Sequence, residues 1–357
     1  MKRSSLAAWL AAFFVVLVWN VSVRQAVLFL VGVGMGAALA GTRFGFTTGW
    51  RALVENRDPG GALGQLLLLA LAAGLAIPLL AAYPELHAAL GPPSVSLLVG
   101  AFLFGLTMQI ADGCGSGTLY KAGLGVPLNM GLLPLFAFGS FLGSVHLDTW
   151  LNLGQIAPVG LVAQWGAGGA LAATLCGLAG LAVAVLWWTG RTVPRMERRW
   201  LLGAVLLAAL ATLNLLIAGQ PWGVVYGFGL WAAKLAAATG FFDPASSAFW
   251  SQAGNATRLT QSVLMDVTSI TNIGILGGAL WISARAPDTG KPLTSKQWLI
   301  GLLAGFVMGY SSRLAFGCNV GAMLSGISTG SLHGWIWLPV AFAGSLIGMR
   351  LRRRFAY

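Results

Sequence analysis

The chain is predicted to be an all-α integral membrane protein, built as two pseudo-repeats with broken or re-entrant short helices. Three observations carry that expectation. Of its 357 residues 57% are hydrophobic and 8% charged, against about 25% charged in a soluble domain. The chain therefore cannot present an ordinary wetted surface. Its apolar runs are long and uninterrupted, which excludes a porin-like barrel, whose strands alternate polar and apolar residues. Finally, a Gly-Cys-x-x-Gly element occurs twice, around Cys114 and around Cys318, inside two apolar segments.

The segments follow in order. Leu6–Asn20 comes after Met-Lys-Arg and resembles a signal peptide, but no convincing small-x-small cleavage site follows. It is expected to remain as a first helix. The next candidates are Gln25–Gly41, Leu63–Ala82, Val95–Ala111, Leu128–Val145 and Val159–Trp188, and then Leu201–Gly219, Gly223–Gly240, Val263–Ala284, Trp298–Ala315 and Leu332–Met349. A full span needs about 20 residues, so the shorter members are the candidates for broken helices. Thr118–Gly125 and Gly321–Gly330, just after the cysteines, read as half-helices. The hydrophilic stretches Phe242–Arg258 and Pro287–Lys296 read as loops. The 50 glycines suit tightly packed transmembrane helices.

The flanks of the two cysteine elements repeat as well. Gly105 pairs with Gly309, Gly113 with Gly317 and Gly117 with Gly321, and Gly139-Ser-Phe-Leu-Gly143 pairs with Gly344-Ser-Leu-Ile-Gly348. Earlier, Gly36, Arg43, Phe44, Thr48 and Gly49 fall opposite Gly227, Lys234, Leu235, Thr239 and Gly240. The expectation is one transporter-like domain over residues 1–357, with halves at about 20–189 and 200–354. The order of residues does not fix whether the halves are parallel or inverted. Repeat-built transporters keep their substrate at the repeat interface.

The net charge of +12 is concentrated in short clusters: Lys2-Arg3, Arg191 to Arg199, and Arg350 to Arg354. These are cytoplasmic anchors under the positive-inside rule, with lipid headgroups as partners. Without aromatic interleaving or a binding motif they are not a nucleic-acid stripe. Three cysteines in apolar or glycine-rich segments argue against a disulfide framework.

Glycines around each cysteine interrupt the helix and let backbone or ligand approach closely. Irregular backbone at membrane depth is tolerated where it is buried or lines a cavity. A half-helix starting after Cys114 would present free N–H groups and a positive dipole end. Gly113, Gly115, Gly117, Ser116 and Thr118 in the first element, with Gly317, Asn319 and Gly321 in the second, therefore form a candidate donor-rich pocket. It would suit a small anion, with the Cys114 and Cys318 thiols at its edge. Cys176 reads as an ordinary small hydrophobe. Arg43, Lys121, Lys234 and Arg313 lie in or beside apolar segments and are candidates for attracting an anion. Asp112 and Asp266 are the carboxylates expected at depth, where either pairs with a base or relays protons if transport is coupled, pairing being favoured. His87, His146 and His333 are scattered, and two thiols without nearby histidines fall short of a zinc set. No Walker A sequence, nucleophile elbow or dinucleotide fingerprint occurs. Neither a cofactor, a metal nor enzymatic catalysis is expected.

Thr42-Arg-Phe-Gly-Phe-Thr-Thr48, Gly113-Cys-Gly-Ser-Gly-Thr-Leu-Tyr120 and Gly317-Cys-Asn-Val-Gly-Ala322 together resemble the bacterial YeeE/YedE family. The motifs fall in order across both halves. The resemblance implies an inner-membrane carrier of sulfur compounds, thiosulfate foremost, with an hourglass-like shape and short central helices. It implies that the thiols at Cys114 and Cys318 touch the substrate's sulfur without a covalent bond. It also implies a small cytoplasmic sulfur-carrier protein as partner. One departure stands out: the family's Arg-Phe-Cys-Phe reads Arg43-Phe-Gly-Phe46 here, so a third thiol is missing at Gly45. That leaves a selenium compound, sulfite or another sulfur anion open as substrate. A membrane sulfurtransferase, with a persulfide on Cys114, and a glycine-packed channel or structural subunit remain as competing readings.

Overall fold

The computed structural model describes residues 3–191, 196–284 and 292–355. Among these residues no strand forms, only isolated bridges joining Ser94 to Gln155 and Gly160 to Ser331. Among the described residues nine helical stretches are long and apolar enough to cross a membrane, and a further apolar helix, Val267–Ser283, is shorter. The chain is an all-α, multi-pass membrane protein.

Helices in lipid gain little from burying apolar surface and associate instead through close packing at small residues. That is how this fold is held. Helix α2 (Val23–Thr42) crosses α13 (Val267–Ser283) with Gly32 against the Thr271 backbone and Gly274 against that of Gly32 and Val33. Helix α5 (Val95–Ile110) crosses α16 (Leu332–Arg354), where Gly105 lies on the Ala341 carbonyl and Gly344 and Gly348 lie on those of Phe102 and Leu106. Helix α7 (Pro127–Val145) crosses α14 (Ser295–Leu314) with the same spacing: Gly309 lies on the Phe136 carbonyl, and Gly139 and Gly143 lie on those of Phe306 and Tyr310. At each point a side chain would collide with backbone.

Three long helices end in a break followed by a short helix. α2 stops at Arg43 and resumes as α3 (Phe46–Asn56). α5 stops before Asp112 and resumes as α6 (Gly115–Gly123). α14 stops before Phe316 and resumes as a π-helical turn, Asn319–Leu324, running into α15 (Ser325–Ser328). Arg43, Asp112 and Phe316 are left-handed, with φ of 51°, 56° and 58°. Such residues cost on the order of 1–3 kcal/mol each and persist where their surroundings demand them.

The breaks after α5 and α14 point in opposite directions. Ser96 Oγ donates to the Leu314 carbonyl at 2.9 Å, so α5 begins where α14 ends. Gln297 Nε2 reaches the Phe355 carbonyl, and Arg352 Nη1 reaches the Gln109 carbonyl at 3.0 Å. The ends of α5 and α16 therefore share a face with the start of α14. That face also carries Thr47, whose carbonyl accepts from Gln109, and Phe44, whose ring meets Trp200 near the start of α10 (Arg198–Ala218). Both described basic clusters, at α10 and at the end of α16, thus lie on one side, which the positive-inside rule predicts to be the cytoplasmic one. A cysteine placed at exposed Arg198 or Arg353 should react with an impermeant maleimide only from the cytoplasmic side, and labelling from the periplasm would refute the orientation.

Several expectations need correcting. Phe242–Arg258 is not a plain loop: Pro244–Ser246 form a 3-10 turn and Ala253–Thr260 form α12. Trp250 buries itself among Phe141, Leu230 and Ala233, which anchors that polar stretch. Val263–Ala284 divides at Asp266, whose carboxylate caps α13 by accepting from Ser269 N and Oγ at 2.7 Å. The long segment after Val159 begins at Leu161 as α9 (Leu161–Thr189) and is interrupted at Gly166, φ 66°. α3 was not foreseen, because it is short and carries Arg51 and Glu55. Half of Pro287–Lys296 lies outside the described residues, as does the middle of the Arg191–Arg199 cluster; the last two residues of the former already belong to α14. The pairing of Arg43 with Lys234 does not hold in space. Arg43 sits in a helix break, whereas Lys234 lies within α11 (Val225–Ala238) and donates to the Leu259 and Gln261 carbonyls.

Candidate functional site

The two cysteine elements meet inside the bundle. Cys114 is the cap of α6: its Sγ accepts from Gly117 N at 3.4 Å and lies 3.4 Å from Ser116 Oγ. Cys318 caps the other short helix, accepting from Val320 N at 3.4 Å. Sulfur is a weak acceptor, so the N–H groups at both helix starts are poorly satisfied and keep a partial positive charge. Both cysteines are buried, at 1% and 0% exposure. Gly115 touches the opposite element, because a Cβ there would come 3.1 Å from Cys318 Sγ and 3.5 Å from the Phe136 ring. The half-helices therefore start close together, each behind a thiol.

Polar atoms without partners surround this point. Asn319 is wholly buried, yet among the described residues neither Nδ2 nor Oδ1 has a hydrogen-bond partner; the Thr118 and Thr47 hydroxyls and Trp222 Nε1 are likewise unmatched there. Buried polar groups are ordinarily bonded. Such a set beside a break in the helices is what a path for a polar solute requires.

A narrow recess opens on the side of Cys114 that faces the basic clusters. Gly45, Thr47 and Thr48 line it from the α2–α3 break; Gly113, Cys114, Ser116, Gly117 and Lys121 line it from the α6 side. On the far side of the elements lies a second narrow recess lined by Trp222, Ser325, Ser328 and Thr329. A larger cavity lies between α9 and α3, α4 (Gly60–Ala82) and α16; its lining is apolar apart from Gln65 and includes neither thiol nor charge.

The recess beside Cys114 has a charged rim. Asp112 Oδ1 accepts from Arg51 Nη1 at 2.9 Å and lies 3.3 Å from Arg352 Nη1, while Oδ2 lies 2.6 Å from Lys121 Nζ. Lys121 also donates to the Asp112 main-chain carbonyl. So Lys121 reaches the site already engaged, and Asp112 pairs with bases as its position suggested. Arg51 and Arg352 were missed. Arg51 belongs to the unforeseen α3, and Arg352 reads in sequence as part of a topology-setting tail.

The other candidates divide. Gly113, Gly115, Ser116, Gly117, Thr118, Gly317, Asn319 and Gly321 all belong to the paired elements; Gly113 and Gly317 must be small, since a Cβ would meet Thr118 N at 2.9 Å and Ala322 N at 2.6 Å. Arg43 is exposed and does not line the recess. Arg313 is spent elsewhere: its Nε donates to Ser144 Oγ at 2.8 Å and its guanidinium lies over Phe249. Cys176 is exposed on α9 rather than packed.

The comparisons with known proteins decide the family. A family model described as sulphur transport matches residues 41–347, which takes in both cysteine elements and the Gly45 break. The chain belongs to this sulphur transport family. The thiosulfate transporter TsuA of Spirochaeta thermophila is 27% identical over 330 residues, 86% of this chain and 92% of that protein. The probable transporter YedE of Escherichia coli is 29% identical over 138 residues, 38% of this chain and 33% of that one. Its Salmonella typhimurium counterpart is 27% identical over 157 residues, 42% and 37% of the two chains. Membership of this family makes the chain a transporter of sulfur compounds, with a small anion as its implied substrate.

Proposed function

We propose that the protein takes up thiosulfate, or a closely related sulfur anion, across the bacterial inner membrane through the constriction between Cys114 and Cys318. The observation that carries this reading is the facing pair of thiol-capped helix starts, each with an N–H group held only by a weak sulfur acceptor. An anion leaving water at the far recess would find the Trp222 N–H and the Ser325 and Ser328 hydroxyls. At the constriction it would find the two S–H groups, Asn319 and Thr118, and on the cytoplasmic side Ser116, Gly117 and the cationic rim. The thiols serve as soft donors to sulfur, and the oxygens take N–H and O–H donors. The recesses on either side of the thiol pair support the hourglass outline. The matched glycine crossings support two halves, about 20–189 and 200–354, as copies of one plan. A small sulfur-carrier protein on the cytoplasmic face remains part of the proposal.

The test is uptake of sulfur-35 thiosulfate by purified protein in liposomes. Flux that unlabelled thiosulfate competes away is expected; persulfide on Cys114 without flux would favour a sulfurtransferase instead. Gly45→Cys belongs in the same assay. A Cβ at Gly45 would press only on the Thr48 hydroxyl, which can rotate. A thiol there adds one weak donor, about 1 kcal/mol, so uptake should change by no more than about tenfold. Conversion of an inactive protein into a strong thiosulfate transporter would mean that the natural substrate is a different anion.

A further inference from the structure

Helix α9 stands off from the bundle over its last turns. Its start is tied to that of α16, since Leu161 N donates to the Gly330 carbonyl at 2.7 Å, and Ala170 packs with Ala73 and Ile77 of α4. Gly177 still rests on the Trp335 ring. From Leu181 to Trp188 the large apolar cavity separates α9 from α3, α4 and α16. Only Leu161, Ala170, Thr174, Leu178 and Thr189 of α9 are buried, so most of this helix faces lipid. The inner wall of the cavity touches the transport elements. Met323 lines it and belongs to the π-helical turn that Cys318 caps. Gln65 lines it too, and its Nε2 donates to the Gly45 and Phe46 carbonyls of the α2–α3 break at 3.3 and 3.1 Å. A buried water needs about two to four polar partners, which this lining does not offer. A void would forfeit dispersion contacts along its walls. At the mouth, Trp187 and Trp188 are exposed, and exposed Arg191 follows just beyond. Aromatic and basic residues in that position sit at headgroup level, and the basic ones favour anionic lipids.

We infer that this cavity is a binding site for one acyl chain of an anionic membrane phospholipid, with the headgroup at Trp188 and Arg191 and the chain braced against Met323 and Gln65. The existence of the site does not rest on the thiosulfate reading; its effect on transport does. The chain supplies the packing that no side chain of the protein supplies behind the Cys318 turn. With the chain in place, Met323 has a wall to lean on and Gln65 holds the Gly45 carbonyl steady. Without it, both side chains border a void, and the turn and the break lose their support from that side. The lipid thus acts as a structural part of the constriction, reaching it from the bilayer rather than from water.

The experiment places the purified protein in liposomes that contain phosphatidylglycerol with a photoreactive diazirine midway along one chain, and maps the adducts by mass spectrometry. Met323 and Leu69, both buried and both lining the cavity, should carry label. Ala184→Trp pushes an indole into the cavity from an exposed position on α9, so no buried group is displaced. It should cut the label on Met323 and Leu69 by at least about tenfold, while label on exposed Val183 persists. Label confined to Val183 and other exposed residues overturns the inference, and so does equal labelling of Met323 in wild type and variant. A phosphatidylcholine probe with the same chain should label Met323 less; equal labelling overturns the anionic headgroup. Bracing is read from stability. Phosphatidylglycerol added to detergent-purified protein should raise the wild-type melting temperature by several degrees and that of Ala184→Trp by much less; equal shifts overturn the bracing role. In liposomes the wild-type maximal uptake rate should be higher with phosphatidylglycerol than with phosphatidylcholine at unchanged KM, and Ala184→Trp should lose that difference. Label on Met323 without thiosulfate flux in either lipid upholds the site and counts against the thiosulfate reading alone.

Discussion

Replacing either constriction thiol, Cys114→Ala or Cys318→Ala, is expected to cut thiosulfate uptake about ten- to a hundredfold while folded protein is still made. Each thiol stands at 1% exposure or less, so an anion passing there has no water to take its place. Loss of one contact in a dry site costs about 1–3 kcal/mol, and each 1.4 kcal/mol is about tenfold. The structural penalty is smaller. Each sulfur gives its short helix a cap bond near 3.4 Å, which is long for nitrogen or oxygen acceptors, and alanine fills the same space without collision. Initial rates at equal amounts of monodisperse protein make the comparison, with Cys176→Ala as control. Cys176 is exposed on α9 and should transport normally. Wild-type rates for both constriction variants would end the thiol-lined pathway.

The other large effect concerns folding. Gly105→Val and Gly309→Val should each abolish recoverable folded protein, or lower its melting temperature by well over ten degrees. A Cβ at Gly105 would strike the Ala341 carbonyl, and one at Gly309 the Phe136 carbonyl. These are main-chain atoms, which cannot rotate out of the way. Overpacking typically costs about 1–3 kcal/mol and more where the neighbour cannot yield. Gly74→Val and Gly180→Val are the matched controls, because a Cβ at either position meets nothing within 4 Å. Fluorescence-detected gel filtration across a temperature series separates the two pairs. If Gly105→Val melts with Gly74→Val, backbone contact at the crossing is not what holds these helices.

Much of the site was legible in the sequence because it depends on glycine. Gly113, Gly117, Gly317 and Gly321 recur at fixed offsets from a cysteine, and a backbone break needs that residue type wherever it occurs. The matched pairs Gly105 with Gly309 and Gly139 with Gly344 were legible for the same reason, since a close crossing leaves a spacing behind. Charge left no such trace. Arg51 lies in a segment too short and too polar to read as a membrane helix, and its partners Asp112 and Arg352 are distant in the chain. Arg43, the more conspicuous arginine beside the family-like motif, stands outside the recess. Trp222 shows its importance through a missing hydrogen bond among the described residues, which no sequence pattern reveals, whereas Asn319 was marked by its place in the second cysteine element. The Phe242–Arg258 stretch misled because its polarity outweighed one anchoring residue, Trp250.

The glycine crossings also bear on how the molecule can move. α5 on α16, and α7 on α14, already touch backbone to backbone through Gly105, Gly344, Gly139 and Gly309. Neither pair can close further, and parting them would surrender the contacts that hold helices together in lipid. They act as two fixed pins. The turns at Asp112–Gly113 and Phe316–Gly317 hang beyond those pins, each held by a weak sulfur cap and a left-handed residue. On the pathway proposed above, rocking of the two helix pairs is thereby disfavoured, and motion of less than a helical turn in these two loops is what would let an ion through. Such a barrier, yielding only in its latches, would pass one small ion at a time and keep the membrane sealed between passages.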